Sequence, residues 1–258
     1  MSKLLFLGTG GSMGVPVIGC HCPVCTSTDP HNKRLRPSAL IQANGKKLLI
    51  DCGPDYRQQA LRYGIEQLDG VVLTHAHNDH TAGIDELRVY YMHTHQSLPL
   101  LLSPETAQDL KARFAYIFTK ERFYKLLPTF DLCELTGDVG EMEFLGFPIG
   151  YYSYFQAGMK VQGFRFGNLA YVSDIHDYDE SIFPFLEGIE ILILSALRLQ
   201  PSPLHFTVDE AAAFAKKTTA KMTWLSHLAH ELDYNETNQR LPGNVQLAYD
   251  GLEIDFTF

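Results

Sequence analysis

Three histidines and an aspartate fall within six residues of the run Thr74-His75-Ala76-His77-Asn78-Asp79-His80. The run follows the apolar segment Gly70 to Leu73, which reads as a strand, so the imidazoles and the carboxylate leave one strand end together. Such donors suit Zn, Mn or Fe, and a loop leaving a strand can turn alternate residues toward one ion and the next pair toward a second. A single histidine would read as an ordinary surface or core group; four donors at this spacing read as a metal site. A second cluster, Cys20-His21-Cys22-Pro23-Val24-Cys25, holds three of the chain's 5 cysteines. An odd count in so tight a group points to metal ligation rather than a disulfide framework, and leaves Cys52 and Cys133 as expected buried thiols.

Taken with Leu49-Ile50-Asp51-Cys52-Gly53 upstream and Tyr171-Val172-Ser173-Asp174 downstream, the His-x-His-x-Asp-His run resembles the metallo-β-lactamase superfamily. The resemblance extends from Phe6-Leu7-Gly8-Thr9-Gly10 to Tyr249-Asp250-Gly251-Leu252. It implies an α/β fold of the αββα sandwich type, two packed mixed sheets with helices outside, and a two-metal hydrolase site at one edge. Within the superfamily the chain is similar to the phosphoribosyl cyclic phosphodiesterase group of phosphonate catabolism. That likeness rests on Cys20-x-Cys22-x-x-Cys25, on Leu225-Ser226-His227-Leu228-Ala229-His230, and on Pro201-Ser202-Pro203-Leu204-His205.

Several roles are implied by this resemblance. Cys20, Cys22, Cys25 and His230 would hold one structural Zn, and His205 would be a catalytic general acid. His75, His77 and Asp174 would bind one catalytic metal, and Asp79, His80, His227 and Asp174 the other, with Asp174 bridging. Asp51 would support the metal loop without ligating. The chain departs from its relatives at Gln156, which stands where they carry the third histidine of the first site. Three outcomes stay open: Gln156 ligates, water fills the position, or that site is empty. A Gln oxygen is a neutral, harder and weaker donor than imidazole, which favours Mn or Fe. His176, two residues past Asp174, is a candidate replacement ligand.

The expected function is a metal-dependent hydrolase, a phosphodiesterase acting on a small cyclic or activated phosphodiester with a metal-bridging hydroxide. Two cations ~3.5 to 4 Å apart lower the pKa of a shared water toward ~7. Other ester or thioester substrates on the same fold, and a metal-poor non-catalytic binding protein, are the alternatives. Gly8-Thr9-Gly10-Gly11-Ser12-Met13-Gly14 lacks the Lys of a phosphate-binding P-loop and reads as a tight turn that lets backbone approach the metal site. Lys33, Arg34, Arg36 and Arg198 read as solvated surface, with phosphate recognition as the alternative.

The elements that must position these residues alternate α and β. Strands are expected at Lys3 to Leu7, Ser38 to Gln42, Lys47 to Asp51, Gly70 to Thr74, Leu98 to Leu102, Glu141 to Phe147, Val161 to Phe166, Leu169 to Ser173 and Ile189 to Ser195. Helices are expected at Tyr56 to Tyr63, Ala82 towards His93, Pro104 to Tyr116 and Thr207 to Lys217, the last opening on a capping Thr. The strands group before residue 102 and after 140, as two packed sheets would require. Ser103 to Pro128 reads as a helical cover. With no linker or repeat, the 258 residues read as one domain spanning 1–258. A net charge of −9 argues against a grip on a nucleic acid polymer and for a small substrate. The one apolar run at the N-terminus, Leu4 to Leu7, is too short for a signal or membrane segment, so a cytoplasmic location without membrane partner is expected. A homodimer is compatible with this size.

Overall fold

The computed structural model describes residues 2–118 and 130–258. Among them, β1 (Ser2–Gly8), β2 (Ser38–Ala43), β3 (Lys46–Ile50), β4 (Gly70–Val72), β5 (Leu98–Leu102) and β6 (Phe130–Glu134) lie side by side in that order. A second sheet holds β7 (Val139–Phe144), β8 (Phe147–Gln156), β9 (Met159–Phe166), β10 (Leu169–Val172), β11 (Ile191–Ser195), β12 (Met222–Ser226) and β13 (Val245–Leu247), again in chain order. The last strand, β14 (Glu253–Phe256), returns to the first sheet and pairs antiparallel with β1. Each sheet is antiparallel at one end and parallel at the other: β3 to β6 and β10 to β13 run parallel.

Burial on both faces explains why the strands read as continuous apolar runs. In β1, Leu4 and Phe6 point between the sheets and Leu5 and Leu7 point outward. Leu48 and Ile50 of β3 likewise face Phe147, Ile149, Tyr151, Phe164 and Phe166 across the sandwich, and Leu49 faces out. Helices Tyr56–Tyr63 and Pro104–Arg113 cover the first outer face, and Ile182–Phe185 and Val208–Ala215 the second. The layers are therefore αββα, as the resemblance implies.

Several expectations need correction. The sheets do not divide at residues 102 and 140, because β6 and β14 both join the first. Glu141 to Phe147 is not one strand but a hairpin, whose turn residues Leu145 and Gly146 have φ of 57° and 81°. Ala82 towards His93 is broken into a 3₁₀ turn, Ile84–Leu87, and an α-helix, Arg88–Thr94. Pro104 to Tyr116 divides at Phe114 into Pro104–Arg113 and Ala115–Phe118. The expected cover is helical as far as residue 118, and its remainder, 119–128, lies outside the described residues. Cys52 is buried as expected; Cys133 is only partly so.

Candidate metal centre

One buried carboxylate fixes both ends of the histidine loop. Asp51, just past β3, accepts hydrogen bonds from Thr74 N (2.8 Å) and Thr74 Oγ1 (2.8 Å), and its Oδ2 lies 2.7 Å from His80 Nδ1. A carboxylate only accepts, so Nδ1 carries a proton and His80 Nε2 faces the interior, where its lone pair would be offered to an ion that displaces the second proton. There it lies 3.4 Å from Asp174 Oδ1 and 3.6 Å from Asp79 Oδ2. The short helix Asn78–Thr81 carries Asp79 and His80, and it packs so close to the preceding turn that a Cβ on Gly53 would sit 2.0 Å from Asp79 O.

The other groups arrive from the second sheet. Asp174 follows β10, His227 follows β12, and His205 lies in the loop after β11. Asp51, Asp174 and His227 have φ of 59°, 53° and 61°, left-handed backbone that non-glycine residues adopt at a cost and that clusters at functional sites. Asp174 is the hub. Besides His80, its Oδ2 lies 3.8 Å from His75 Nε2, 3.7 Å from His205 Nδ1 and 3.5 Å from His227 Nε2. Asp79 Oδ2 is 3.2 Å from His227 Nε2. Gln156, at the end of β8, donates through Nε2 to Asp174 Oδ2 (3.2 Å) and lies 3.0 Å from His205 Nε2.

The implied metals can be tested against this arrangement. Among the described residues, three donor sets have ligand atoms within 4.8 Å of one another: His75, His80 and Asp174; Asp79, His80 and His227; Asp174, His205 and His227. The shared members make them one continuous centre. His80 Nε2 and Gln156 Oε1 are buried without a hydrogen-bond partner, so ligating capacity remains unused in a desolvated place. These residues fit divalent ions. His77 joins no set; its Nδ1 lies 2.9 Å from His75 Nε2, so it borders the centre through His75. His176 is also outside it, with Nδ1 2.8 Å from Asp177 Oδ1.

Charge in the free chain follows the same geometry. Desolvation opposes ionisation of Asp79 and Asp174, but the neighbouring His80 and His227 outweigh it and hold both below the usual carboxylate range. The same carboxylates overcome desolvation at His80 and His227 and raise their pKa values. Burial pushes His75 and His77 down, and holds His205 at about 4. His205 therefore lacks the free imidazole pKa of ~6.5 that a ready acid would have.

Cys20, Cys22, Cys25 and His230 also meet within 4.8 Å. His230 Nδ1 lies 3.3 Å from Cys20 Sγ and 3.4 Å from Cys22 Sγ. A tetrahedral Zn with its usual S and N bond lengths sets such atoms about 3.6 Å apart, so this set fits zinc as well. The Cys25 amide donates to Cys22 Sγ and lowers that thiol to about 6, while burial raises Cys25 to about 11.

Two positions read differently from their sequence. Three of the four basic residues are spent internally: Lys33 Nζ donates to Cys25 O, Arg34 is buried, and Arg36 pairs with Asp55 at 3.2 Å; Arg198 is half-buried with its Nε unpartnered. Arg113, which no motif marks, grips the histidine loop from the helix over the first sheet, donating to Ala76 O (2.5 Å), Asn78 Oδ1 (2.8 Å) and Thr81 Oγ1 (3.0 Å). The glycine turn does approach the site: Gly11 N donates to Leu228 O, and a Cβ on Gly11 would lie 3.3 Å from the His227 ring.

Comparison with known proteins agrees with this geometry. The family described as "Beta-lactamase superfamily domain" matches residues 46–228. A crystal structure of "a New Diphosphatase from the PhnP Family" is 38% identical with a TM-score of 0.92, covering 100% of this chain and 98% of that one. An octanoyltransferase of Porphyromonas gingivalis is 34% identical over 254 residues, 97% of this chain and 51% of that protein. A ribonuclease Z of Bradyrhizobium diazoefficiens is 39% identical over 89 residues, 34% of this chain and 24% of that protein. The chain thus aligns with about half the length of the first of these curated relatives and a quarter of the second. From the family match and the near-complete likeness to the diphosphatase, the chain belongs to the beta-lactamase superfamily, with the metallo-β-lactamase fold, beside the PhnP family.

Proposed function

We propose that this protein is a metal-dependent phosphodiesterase acting on a small phosphodiester. The observation that carries the reading is Asp174, one buried carboxylate reached by four imidazoles from three loops, with Asp79 beside it. His75 and Asp174, with His77 at the margin and the unpartnered Gln156 Oε1 within the same pocket, would hold one ion; Asp79, His80, His227 and Asp174 would hold the other. Two divalent cations there supply a nucleophile near neutral pH and neutralise phosphoryl oxygens.

The chain's own residues then have separable work. Asp51 keeps His80 in the tautomer that offers Nε2. Gln156 orients Asp174 through its amide. His205 lies beside both and would serve the leaving oxygen as proton donor; an incoming phosphodiester brings negative charge next to the ring, which favours its protonated form.

A small substrate is supported by the rim. The cleft beside Ala76 and Phe155, of about 520 Å³, is lined by Glu105, Asp109 and Lys160. Lys160 is paired with Glu105 (2.7 Å) and Asp138 (2.8 Å), and Arg113 with Asp109, so these cations are not free to track a polyanion. Two relatives, a diphosphatase and a ribonuclease, favour attack at phosphorus, the second on a phosphodiester. The octanoyltransferase favours acyl chemistry, but half of that protein has no counterpart here. Turnover of a chromogenic diester against an octanoyl thioester, at matched metal loading, tests the reading. Diester cleavage at least tenfold faster is expected; preferential thioester cleavage would overturn it.

A further inference from the structure

The turn after β12 carries two histidines with different neighbours: His227 faces Asp79 and Asp174, and His230 faces Cys20 and Cys22. Beneath it lies Arg34, 1% exposed. Its Nη1 donates to Ala229 O (3.1 Å) and its Nη2 to Leu232 O (2.7 Å), so one guanidinium spans the carbonyls on either side of His230. Nη2 also donates to Asn32 Oδ1 (3.2 Å) and Nε to His31 O (3.3 Å). Asn32 continues the grip, donating to Asp233 Oδ2 (2.7 Å) and accepting from Tyr234 N (3.0 Å).

The backbone of Arg34 also holds the glycine turn that pairs with Leu228. It exchanges hydrogen bonds with Val15, and a Cβ on Gly10 would lie 2.9 Å from Arg34 O. Gly11, next in line, donates to Leu228 O and abuts the His227 ring. A buried cation satisfied by carbonyls rather than by a contacting carboxylate is costly to place, and its planar fork fits two acceptors as an ammonium does not. Neither metal site needs this charge as a ligand; the turn that joins them does.

We propose that Arg34 is a positioning residue that fixes the register of residues 227–232, so that an ion at Cys20, Cys22, Cys25 and His230 and an ion held with His227 strengthen each other's binding. This rests on the metal reading of both sites. By linkage the coupling is reciprocal: loss of either ion weakens the other by the same factor.

Cobalt(II) titration of the metal-free protein separates the two, because the cysteine set gives a thiolate charge-transfer band and the His/Asp centre does not. Arg34→Lys should weaken both ions about 10- to 100-fold with the far-ultraviolet circular dichroism unchanged. Cys25→Ser, which leaves two thiolates, should weaken the ion at the cysteine set and reduce its thiolate band; at cobalt levels that leave that site empty it should weaken the His227 ion about tenfold, and should add nothing further in the Arg34→Lys background. Affinities of Arg34→Lys within twofold of wild type at both sites would overturn the proposal. Should Arg34→Lys not fold, Cys25→Ser decides alone: an unchanged His227 ion overturns it. Wild-type protein that takes up cobalt only at the thiolates would instead overturn the metal reading of the His/Asp centre, and the coupling with it.

Discussion

At the scale of single residues, the work of His205 and of Cys22 is set by what lies within 4 Å of each. His205 stacks on His227 with ring centroids 4.7 Å apart, touches Gln156 and lies 3.7 Å from Asp174. His205→Ala should therefore slow diesters with poor leaving groups about 10²- to 10⁴-fold and leave activated aryl leaving groups nearly unchanged. Equal losses for both, measured as kcat/KM, would remove the proton-donor role. Cys22, held at about 6 by the Cys25 amide, is a thiolate at neutral pH in the metal-free chain. Iodoacetamide labelling of Cys22 should rise with pH through about 6 and level off by pH 7, and zinc should protect it. A midpoint near the free-thiol value of ~8.5 would contradict the geometry. The clustered donor side chains were the most legible part of the chain, because donors at fixed spacing announce themselves. Gln156, which the resemblance puts in the place of a ligand histidine, does lie against Asp174. His77, spaced as a ligand, brings its Nδ1 to 2.9 Å from His75 Nε2, a separation at which both rings could face one ion.

At the scale of elements, strands with both faces buried were readable as apolar runs, and those with mixed character were not. β8 alternates Tyr152 and Tyr154 with Ser153 and Phe155 and begins in a turn whose Leu145 takes a left-handed conformation usually left to Gly or Asn. The run Glu141 to Phe147 therefore looked unbroken. β6, β12, β13 and β14 are three to five residues each and take their identity from pairing, which no local pattern reports. The capped helix was legible: Thr207 accepts from Glu210 N while Glu210 accepts from Thr207 N, as its sequence promised. Close approach of two elements gives a sharper test. Gly53→Val would drive its side chain into the Asp79 carbonyl, 2.0 Å from where Cβ must lie. Displacement of the Asn78–Thr81 turn should lower stability by at least 1–3 kcal/mol in urea unfolding and reduce the metal bound per chain. Unchanged stoichiometry would show that the histidine loop does not depend on this contact.

At the scale of the whole molecule, contacts distant in sequence close the fold over its two edges. Cys20 and His230 are 210 positions apart, and Thr9 donates to Asp250 across 241. An ion at the cysteine set would hold together parts of the chain that an unfolded polymer almost never brings near. Cys25→Ser should lower Tm by about 5–10 °C in the zinc-loaded protein and shrink the difference between loaded and chelated samples to what the His/Asp centre contributes. A Tm that is unchanged by the substitution would mean that packing alone secures this edge. No helix among the described residues is long and apolar enough to cross a membrane.

On the reading proposed above, Asp174 organises a metal centre that cleaves phosphodiesters. Hydrolysis of bis(p-nitrophenyl) phosphate by protein reconstituted with Mn or Zn tests it most directly, with Asp174→Asn as control, since Asn tolerates the φ of 53° at this position and removes only the charge. Metal-dependent turnover that falls at least 100-fold in Asp174→Asn is the predicted result. Turnover that is equal in the two proteins, or absent from the wild type with either metal, would contradict it.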